Sequence, residues 1–367
     1  MNFRKTVVPL VLVALGVGHG IAFATTGVLN VLNWSDYIGN NTIAQYEKET
    51  GVKVKYDALD SDDTLQAKLL SGSTGYDVVY PSLTYFSNQT KAGVYEKIDW
   101  TKIPNRVNLD PEIMKKVAEM DPGNRYGVPY AYGSDGISIN LKQVSAALGK
   151  DVDPDAQGWN LLFNPSVVSK LSKCGVSLVD SPGDVFPIVL ANMGRDPNSK
   201  NLSDYQDAYK VLKTVRPYIT QFSSTYINDV AGGDVCVAFS WSGDAGMIKR
   251  RVKEAHRDFT VEYLVPKGIG GMWFTMLAIP KDAGNKEEAY AWINFMLKPD
   301  VSAGITNDTT FVTANVAARQ LVKPDVASDT SVYPTSEQVK TYFVMRPIDP
   351  DIRRTINKMW LDFKADR

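Results

Sequence analysis

Aromatic rings and carboxylates occur together in several segments of this sequence. Trp34 precedes Asp36 and Tyr37, and Trp241 precedes Asp244. Further rings follow downstream at Trp273, Phe274 and Phe311. An organic ammonium ion suits such a set, because ring faces attract the cation and cover its methylene chain while a carboxylate accepts a charge-assisted hydrogen bond. Taken singly, each residue has an ordinary alternative: a Trp is usually a core residue, and an Asp in a loop usually caps or turns the chain.

Histidine is too rare to support the common catalytic or metal sites. The chain has 2 histidines, His19 and His256. His256 lies in a strongly charged stretch typical of a solvated helix face, and a Ser-His-Asp or Cys-His centre would have to use it. No histidine pair exists to bind a metal ion. The sequence therefore predicts neither an enzyme nor a resident cofactor.

Glycine patterning gives no nucleotide-binding signature. The chain has no Walker loop, no dinucleotide fingerprint after a strand and no nucleophile elbow. The glycines at 268, 270 and 271 form a lone cluster. Such a cluster favours a turn.

The N-terminal segment has the three-part pattern of a secretory signal peptide. Arg4 and Lys5 precede an apolar run over 7–17, and Ala22 and Ala24 occupy the positions that signal peptidase reads. The alternative is a membrane anchor, but the run is short and glycines interrupt it. We expect cleavage after Ala24 and a periplasmic protein. The formal net charge of −1 for the whole chain does not fit a nucleic-acid-binding protein.

The sequence has two cysteines, Cys174 and Cys236. In an exported protein an even pair favours one disulfide, and two buried free thiols are the alternative. Two ligands cannot complete a zinc site.

The elements that position these residues alternate between strand and helix. The pattern predicts strands over 28–34, 52–56 and 76–80, and helices from Asn41 to Gly51 and over 60–70. This order indicates a parallel α/β sheet, whose ligands bind at the carboxyl ends of the strands. The segments 34–37 and 81–82 follow predicted strands and are therefore placed to line a cleft. A chain of 367 residues is too long for one simple core, so we expect two lobes.

A Gly-containing stretch over 132–136 precedes a strand-like segment over 137–140, a candidate crossover between the lobes. Helical periodicity predicts buried stripes later in the chain, at Ala289, Trp292, Ile293, Met296 and Leu297, and at Ile352, Ile356, Trp360 and Phe363.

Six segments carry a distinctive combination of motifs: Asn-Trp-Ser-Asp-Tyr-Ile at 33–38, Tyr-Glu-Lys-Glu-Thr-Gly at 46–51, Gly-Ser-Thr-Gly-Tyr-Asp-Val-Val at 72–79, Cys-Gly-Val-Ser at 174–177, Tyr-Ile-Asn-Asp at 226–229 and Gly-Asp-Val-Cys-Val-Ala at 233–238. In them the sequence resembles the periplasmic putrescine/spermidine-binding proteins of polyamine ABC importers. The putrescine-binding branch is the most similar, and the resemblance covers essentially the whole chain after residue 24.

The resemblance implies a two-lobed α/β fold of the type II periplasmic binding proteins. Each lobe is then a mainly parallel sheet flanked by helices, and the cleft between the lobes closes on ligand like a hinged clamp. It implies a first lobe of 25–132 with 264–301 and a second of 133–263 with 302–367. It also implies that Cys174 and Cys236 are bonded to each other, and that the protein binds and does not catalyse.

The resemblance also implies a ligand site. The expected ligand-binding residues are Trp34, Ser35, Asp36, Tyr37, Ser82, Asp184, Ser223, Trp241, Asp244, Trp273, Thr275 and Phe311. Three of them depart from the family pattern: Asp184 stands where Glu is usual, Thr275 replaces the Asp that grips an ammonium group, and Phe311 replaces a Tyr. A hydrogen bond to a charged group contributes about 1.5–3 kcal/mol, so loss of that Asp weakens a diamine about ten- to a hundredfold unless another group compensates. Asp135, where the family tends to have an uncharged residue, is the candidate replacement.

Two ligand hypotheses follow. In the first the ligand is putrescine or a longer polyamine, and Trp273 in place of a smaller ring favours spermidine. In the second only one end of the ligand is cationic, as in a monoamine, an acylated polyamine or an ω-amino acid. The expected membrane partner is the permease of an ABC importer, with a sensory receptor as the alternative, and we expect a monomer.

Overall fold

The computed structural model describes residues 27–59, 61–149, 153–266 and 269–366. The N-terminal segment with its predicted cleavage after Ala24 therefore lies outside the described residues. The strands are β1 Val28–Trp34, β2 Lys53–Leu59, β3 Val78–Val79, β4 Gly127–Asn140, β5 Val176–Leu178, β6 Gln221–Phe222, β7 Val237–Trp241, β8 Val261–Leu264, β9 Gly270–Ala278, β10 Val312–Thr313 and β11 Tyr342–Val344.

Helices flank these strands throughout the chain. They are α1 Thr42–Thr50, α2 Asp62–Ser71, α3 Leu83–Lys91, α4 Pro111–Ala118, α5 Leu141–Leu148, α6 Pro154–Gln157, α7 Asn160–Phe163, α8 Pro165–Leu171, α9 Pro182–Asn192, α10 Leu202–Val215, α11 Ile227–Gly232, α12 Ser242–Glu254, α13 Lys286–Met296, α14 Pro299–Thr309, α15 Pro324–Ala327, α16 Ser336–Lys340 and α17 Pro350–Lys364. Short 3-10 helices occupy Trp100–Lys102, Pro104–Asn108, Ser172–Cys174, Arg216–Tyr218 and Val316–Leu321. In the described part of the chain, no helix is both long and apolar enough to cross a membrane.

The first three strands form the predicted parallel unit. β1 lies between β2 and β3 and runs parallel to both, with α1 and α2 as the connections. Helix α1 ends where expected, because Gly51 adopts a left-handed conformation with φ of 77° that terminates the helix. Asn41 does occupy the N-cap position, but its side chain makes no capping hydrogen bond.

Strand β3 is shorter than the predicted 76–80. The Asp77 carboxylate accepts hydrogen bonds from the backbone N–H groups of Asn30 and Asn285, at 2.9 and 2.8 Å. These side-chain bonds supplement the backbone N–H of Asp77, which donates to the carbonyl of Asn30 at 2.8 Å. The sequence also predicted a turn at 268–271. This prediction was wrong for Gly270 and Gly271, which begin β9, and Gly268 lies outside the described residues.

Strand β4 connects the two halves of the sheet. The sheet order is β2-β1-β3-β9-β4-β7-β5-β6. Strand β4 pairs with β9 from Gly127 to Ser134, and with β7 from Asp135 to Ile139. The predicted crossover at 132–140 is therefore part of one long strand that passes from one half-sheet to the other between Ser134 and Asp135.

The helix faces that periodicity predicted to be buried form part of the core. Ala289, Trp292, Ile293 and Met296 of α13 are buried, as are Ile352, Ile356, Trp360 and Phe363 of α17. Cys174 and Cys236 form a disulfide, with their Cα atoms 5.4 Å apart, as the resemblance implied. It joins the end of a 3-10 helix to the residue before β7.

Candidate functional site

Strand register places three of the expected site residues and Asp135 on one face of the sheet. Asp135 lies directly opposite Trp241 on β7, and Gly133 lies directly opposite Trp273 on β9. Directly opposed residues point to the same face, and so do residues two apart on one strand. Asp135, Trp241, Trp273 and Thr275 therefore share one face.

The loop after β1 brings Tyr37 onto this face. The hydroxyl groups of Tyr37 and Thr275 are hydrogen-bonded at 3.1 Å, and both residues are buried. The Tyr37 ring lies 4.6 Å from the Phe311 ring, edge to face, and Phe311 lies 5.6 Å from Trp273 in the same manner. These contacts unite residues from three distant segments in one aromatic wall, and burial raises the pKa of Tyr37 well above its usual value.

Phe311 reaches this wall because the second residue of helix α12 is a glycine. A Cβ on Gly243 would lie 2.2 Å from Cδ1 of Phe311, so a larger residue would collide with the ring. The glycine thereby brings the first turn of α12, which carries Asp244, against the aromatic wall.

Asp244 is a buried carboxylate at the start of α12. Burial raises its pKa to about 7, a hydrogen bond with Tyr226 opposes the shift, and the negative charge of Asp36 adds to it. Arg251 is near enough to lower the pKa but does not reverse the change. The same Asp244 charge raises the pKa of Tyr37. Asp36, Tyr37, Thr275 and Asp244 therefore form one acidic end of the site.

Asp184 lies in the first turn of α9. Burial raises its pKa to about 6, while hydrogen bonds with Ser181 and Trp241 and the charge of Arg353 oppose the shift. The hydrogen bond with Trp241 links Asp184 to the shared face of the sheet. Burial raises the pKa of Asp135, and the charge of Asp184 adds to that shift.

The site contains buried acids without a direct basic partner. Within the described ranges, no Lys or Arg forms an ion pair with Asp135, Asp184 or Asp244. No group of three or more His, Cys, Asp or Glu residues in that part of the chain could hold a metal ion. Buried carboxylates that lack a partner repel each other, and burial penalises their charged form, so a cation in the cleft would relieve both costs.

The remaining expected residues lie at various distances from this cluster. Trp34 is half-buried and donates its indole N–H to the carbonyl of Tyr80 at 2.8 Å, and Ser35 is exposed beside it. The backbone of Ser82 bridges to that of Thr275. Ser223 bonds with Thr225 in the 223–225 turn, and no bond joins it to the other site residues described above.

Sequence reasoning missed two charged residues next to this site. Asp62 accepts hydrogen bonds from the hydroxyl and the backbone N–H of Ser82, at 2.5 and 3.0 Å, and burial raises its pKa to about 6. The buried guanidinium of Arg353 lies over the ring of Tyr85 at 4.2 Å and lowers the pKa values of Asp62 and Asp184. No local motif marks either residue: Asp62 lies on α2 and Arg353 on α17, and only the tertiary fold brings both helices to the site.

Comparison with known proteins adds direct evidence of kinship. The chain is 41% identical over its full length to a putrescine-binding periplasmic protein of Pseudomonas aeruginosa (strain UCBPP-PA14), and the match covers 99% of that protein. It is 41% identical to a putrescine-binding periplasmic protein of Escherichia coli (strain K12) over 96% of this chain and 95% of that protein. Among solved structures, a spermidine/putrescine ABC transporter substrate-binding protein from Streptococcus pneumoniae superposes with a TM-score of 0.73 at 26% identity, covering 92% of this chain and 99% of that one.

These similarities establish the two-lobed periplasmic binding protein fold and a relationship to transport proteins that bind substrates without converting them. The family model for bacterial extracellular solute-binding proteins matches residues 41–334. The chain therefore belongs to the bacterial extracellular solute-binding protein family.

Proposed function

We propose that this protein captures a polyamine between its two lobes in the periplasm and delivers it to an ABC importer. The observation that carries the proposal is a set of three acids near Trp241 that have no ion-pair partner among the described residues. Asp135 and Asp244 are buried, and Asp184 is half-buried and hydrogen-bonded with Trp241. Such a site complements an alkyl ammonium ion, because the rings cover methylene groups while the carboxylates take the charges. The printed names of the relatives, putrescine-binding periplasmic proteins, support the same ligand class.

Ligand capture needs a hinge, and β4 supports the proposed lobe boundary after residue 132. The strand exchanges β9 for β7 as its partner between Ser134 and Asp135. We propose lobes of 25–132 with 264–301 and of 133–263 with 302–367. The periplasmic location of the relatives supports export of this chain, with cleavage after Ala24, and the monomeric state stays a prediction.

Calorimetry on the exported protein tests the proposal. The full-length sequence is expressed, and the protein is recovered from the periplasmic fraction, its intact mass reporting the cleavage site. Unfolding with the disulfide kept oxidised, followed by refolding, removes co-purified ligand. Titration with putrescine, cadaverine, spermidine and agmatine should show micromolar or tighter binding of at least one, and absence of heat with all four would contradict the polyamine proposal.

A second candidate ligand carries one ammonium group and one hydrogen-bond acceptor. The observation that favours it is the indole N–H of Trp273, which is buried without a hydrogen-bond partner on the shared face. A carbonyl or carboxylate oxygen would satisfy this donor. The same titration with acetylated putrescine and γ-aminobutyrate separates the two candidates, since preference for either over every diamine would favour the second.

A further inference from the structure

Asp135 is a buried acid with no partner in the protein. Its side chain is completely inaccessible, and neither carboxylate oxygen makes a hydrogen bond. Nearly all buried polar groups in native proteins are hydrogen-bonded, and a buried charge without a partner is costly. An orphaned carboxylate in such a place indicates that its partner is a molecule other than the protein.

The surroundings of Asp135 fit a cation as that partner. Asp184 supplies a second negative charge nearby, and Tyr263 is the other titratable group that interacts with Asp135. Gly271, on the neighbouring strand β9, leaves room for the carboxylate: a Cβ there would lie 2.5 Å from Oδ2 of Asp135 and 3.2 Å from Sδ of Met345. Of the groups around this carboxylate, Asp184 is acidic, whereas Tyr263, Gly271 and Met345 carry no charge.

Asp135 lies at the opposite end of the site from Asp36 and Asp244. Asp244 interacts with Asp36 and with Tyr37, which is bonded to Thr275, whereas Asp135 lies against Gly271. Thr275 and Gly271 are four residues apart on β9, on the order of 13 Å of strand at about 3.3 Å per residue. Trp273 lies on the face between these ends, and Trp241 lies directly opposite Asp135 on β7.

We propose that Asp135 binds one terminal ammonium group of an extended dicationic ligand whose other end lies at Asp36 and Asp244. This proposal rests on the proposed polyamine-binding function and adds a specificity-determining residue to it. Asp135 then supplies the charge that Thr275 lacks, but at a different point along the cleft. A ligand with positive charges at both ends matches the site, and its methylene chain lies across the tryptophan rings.

The substitution Asp135→Asn tests the proposal, because Asn keeps the shape of Asp and removes the charge. We expect the affinity for the amine that the wild-type protein binds most tightly to fall about ten- to a hundredfold. Asp325→Asn is the matched control: Asp325 is exposed on α15, so the variant makes the same change in net charge far from the cleft and should bind as the wild type does.

A second readout separates a ligand-binding role from a structural one. Without ligand, Asp135→Asn should unfold at the same or a higher temperature than the wild type, because the substitution removes an unpaired buried charge. Gly271→Ala is an independent variant, since its methyl group would occupy the space in front of Oδ2, and it should also weaken binding.

The results test the proposed polyamine-binding function and the proposed role of Asp135 separately. If the wild type binds no amine, both the function and the role of Asp135 fail. If the wild type binds a polyamine and both variants bind it equally well, only the role of Asp135 is overturned. A loss of stability in Asp135→Asn, with unchanged affinity in the folded fraction, would show that the residue is structural.

Discussion

Thr275 stands where the resemblance to the putrescine-binding proteins leads us to expect an Asp. Its hydroxyl contacts that of Tyr37 at 3.1 Å, and its backbone bridges to Ser82, so it lies within the aromatic and acidic cluster and not at its edge. The site has acids on both sides of Thr275: Asp244, and Asp135 on β4, which lies against Gly271 of β9.

Substitution of Thr275→Asp tests its position relative to the ligand. A carboxylate there should raise the affinity for diamines about ten- to a hundredfold, because a charged hydrogen bond to an ammonium group is restored. The ligand-free variant should be less stable, because it gains another buried acid without a partner. Calorimetry and thermal unfolding measure the two effects, with Thr275→Asn as the uncharged control; unchanged diamine affinity in Thr275→Asp would place Thr275 away from the ammonium group.

At the scale of elements, β7 separates a structural end from a functional end. The disulfide joins Cys174 to Cys236, immediately before the strand, and Trp241 at its last residue faces the site. Five strand residues span roughly 16 Å at about 3.3 Å per residue, so the two features are distant. The covalent link stabilises the second half-sheet without reaching the ligand.

Removal of the disulfide should therefore change stability and leave binding almost unaltered. The double substitution Cys174→Ser and Cys236→Ser should lower the free energy of unfolding by about 2–4 kcal/mol. Without the disulfide the loop between the two residues is open, so the unfolded chain gains conformational entropy. Urea unfolding measures this loss, and calorimetry below the unfolding transition should give the wild-type affinity. A tenfold loss of affinity would contradict the separation of the two ends of β7.

At the scale of the whole molecule, the two halves bring acids together that no single segment contains. Asp184 and Asp244 come from α9 and α12, and Asp36 comes from the loop after β1. Basic residues nearby, Arg353 and Arg251, moderate the pKa shifts of Asp184 and Asp244 without forming ion pairs with them. Ligand binding therefore competes with protons for the same carboxylates.

This competition predicts how affinity and stability depend on pH. The pKa values are raised to about 6 for Asp184 and about 7 for Asp244, so a bound cation, which favours the charged forms, should release protons. Affinity should fall as the pH decreases from 8 through 7 to 5. The ligand-free protein should show the opposite trend for these groups, losing stability as the pH rises from about 4 to 7, because the folded state binds more protons than the unfolded state in that window.

Calorimetry in buffers of different ionisation enthalpy measures the proton release directly. Chemical denaturation across the same pH range measures the stability of the ligand-free protein, with Asp244→Asn as the variant that should flatten both curves. Affinity that does not change between pH 5 and pH 8 would show that these acids do not contact the cation.

The sequence by itself determined the local features of this protein. Strand and helix over 28–59 follow from apolar periodicity and the glycine at 51, and the buried stripes of α13 and α17 follow from helical spacing. The paired aromatic and acidic residues predicted a cation site, although ring-and-acid pairs in loops are too common to show which of them meet. The resemblance supplied the disulfide pairing and the expected site residues.

Only the tertiary structure decided which acids are buried together and without partners. Whether Asp135 reached the cleft depended on the register between β4, β7 and β9, which no local pattern specifies. The shortening of β3 and the roles of Asp62 and Arg353 depended on contacts between distant segments. Periodicity records which face of one element is apolar, but burial and the pairing of charges are properties of several elements packed together.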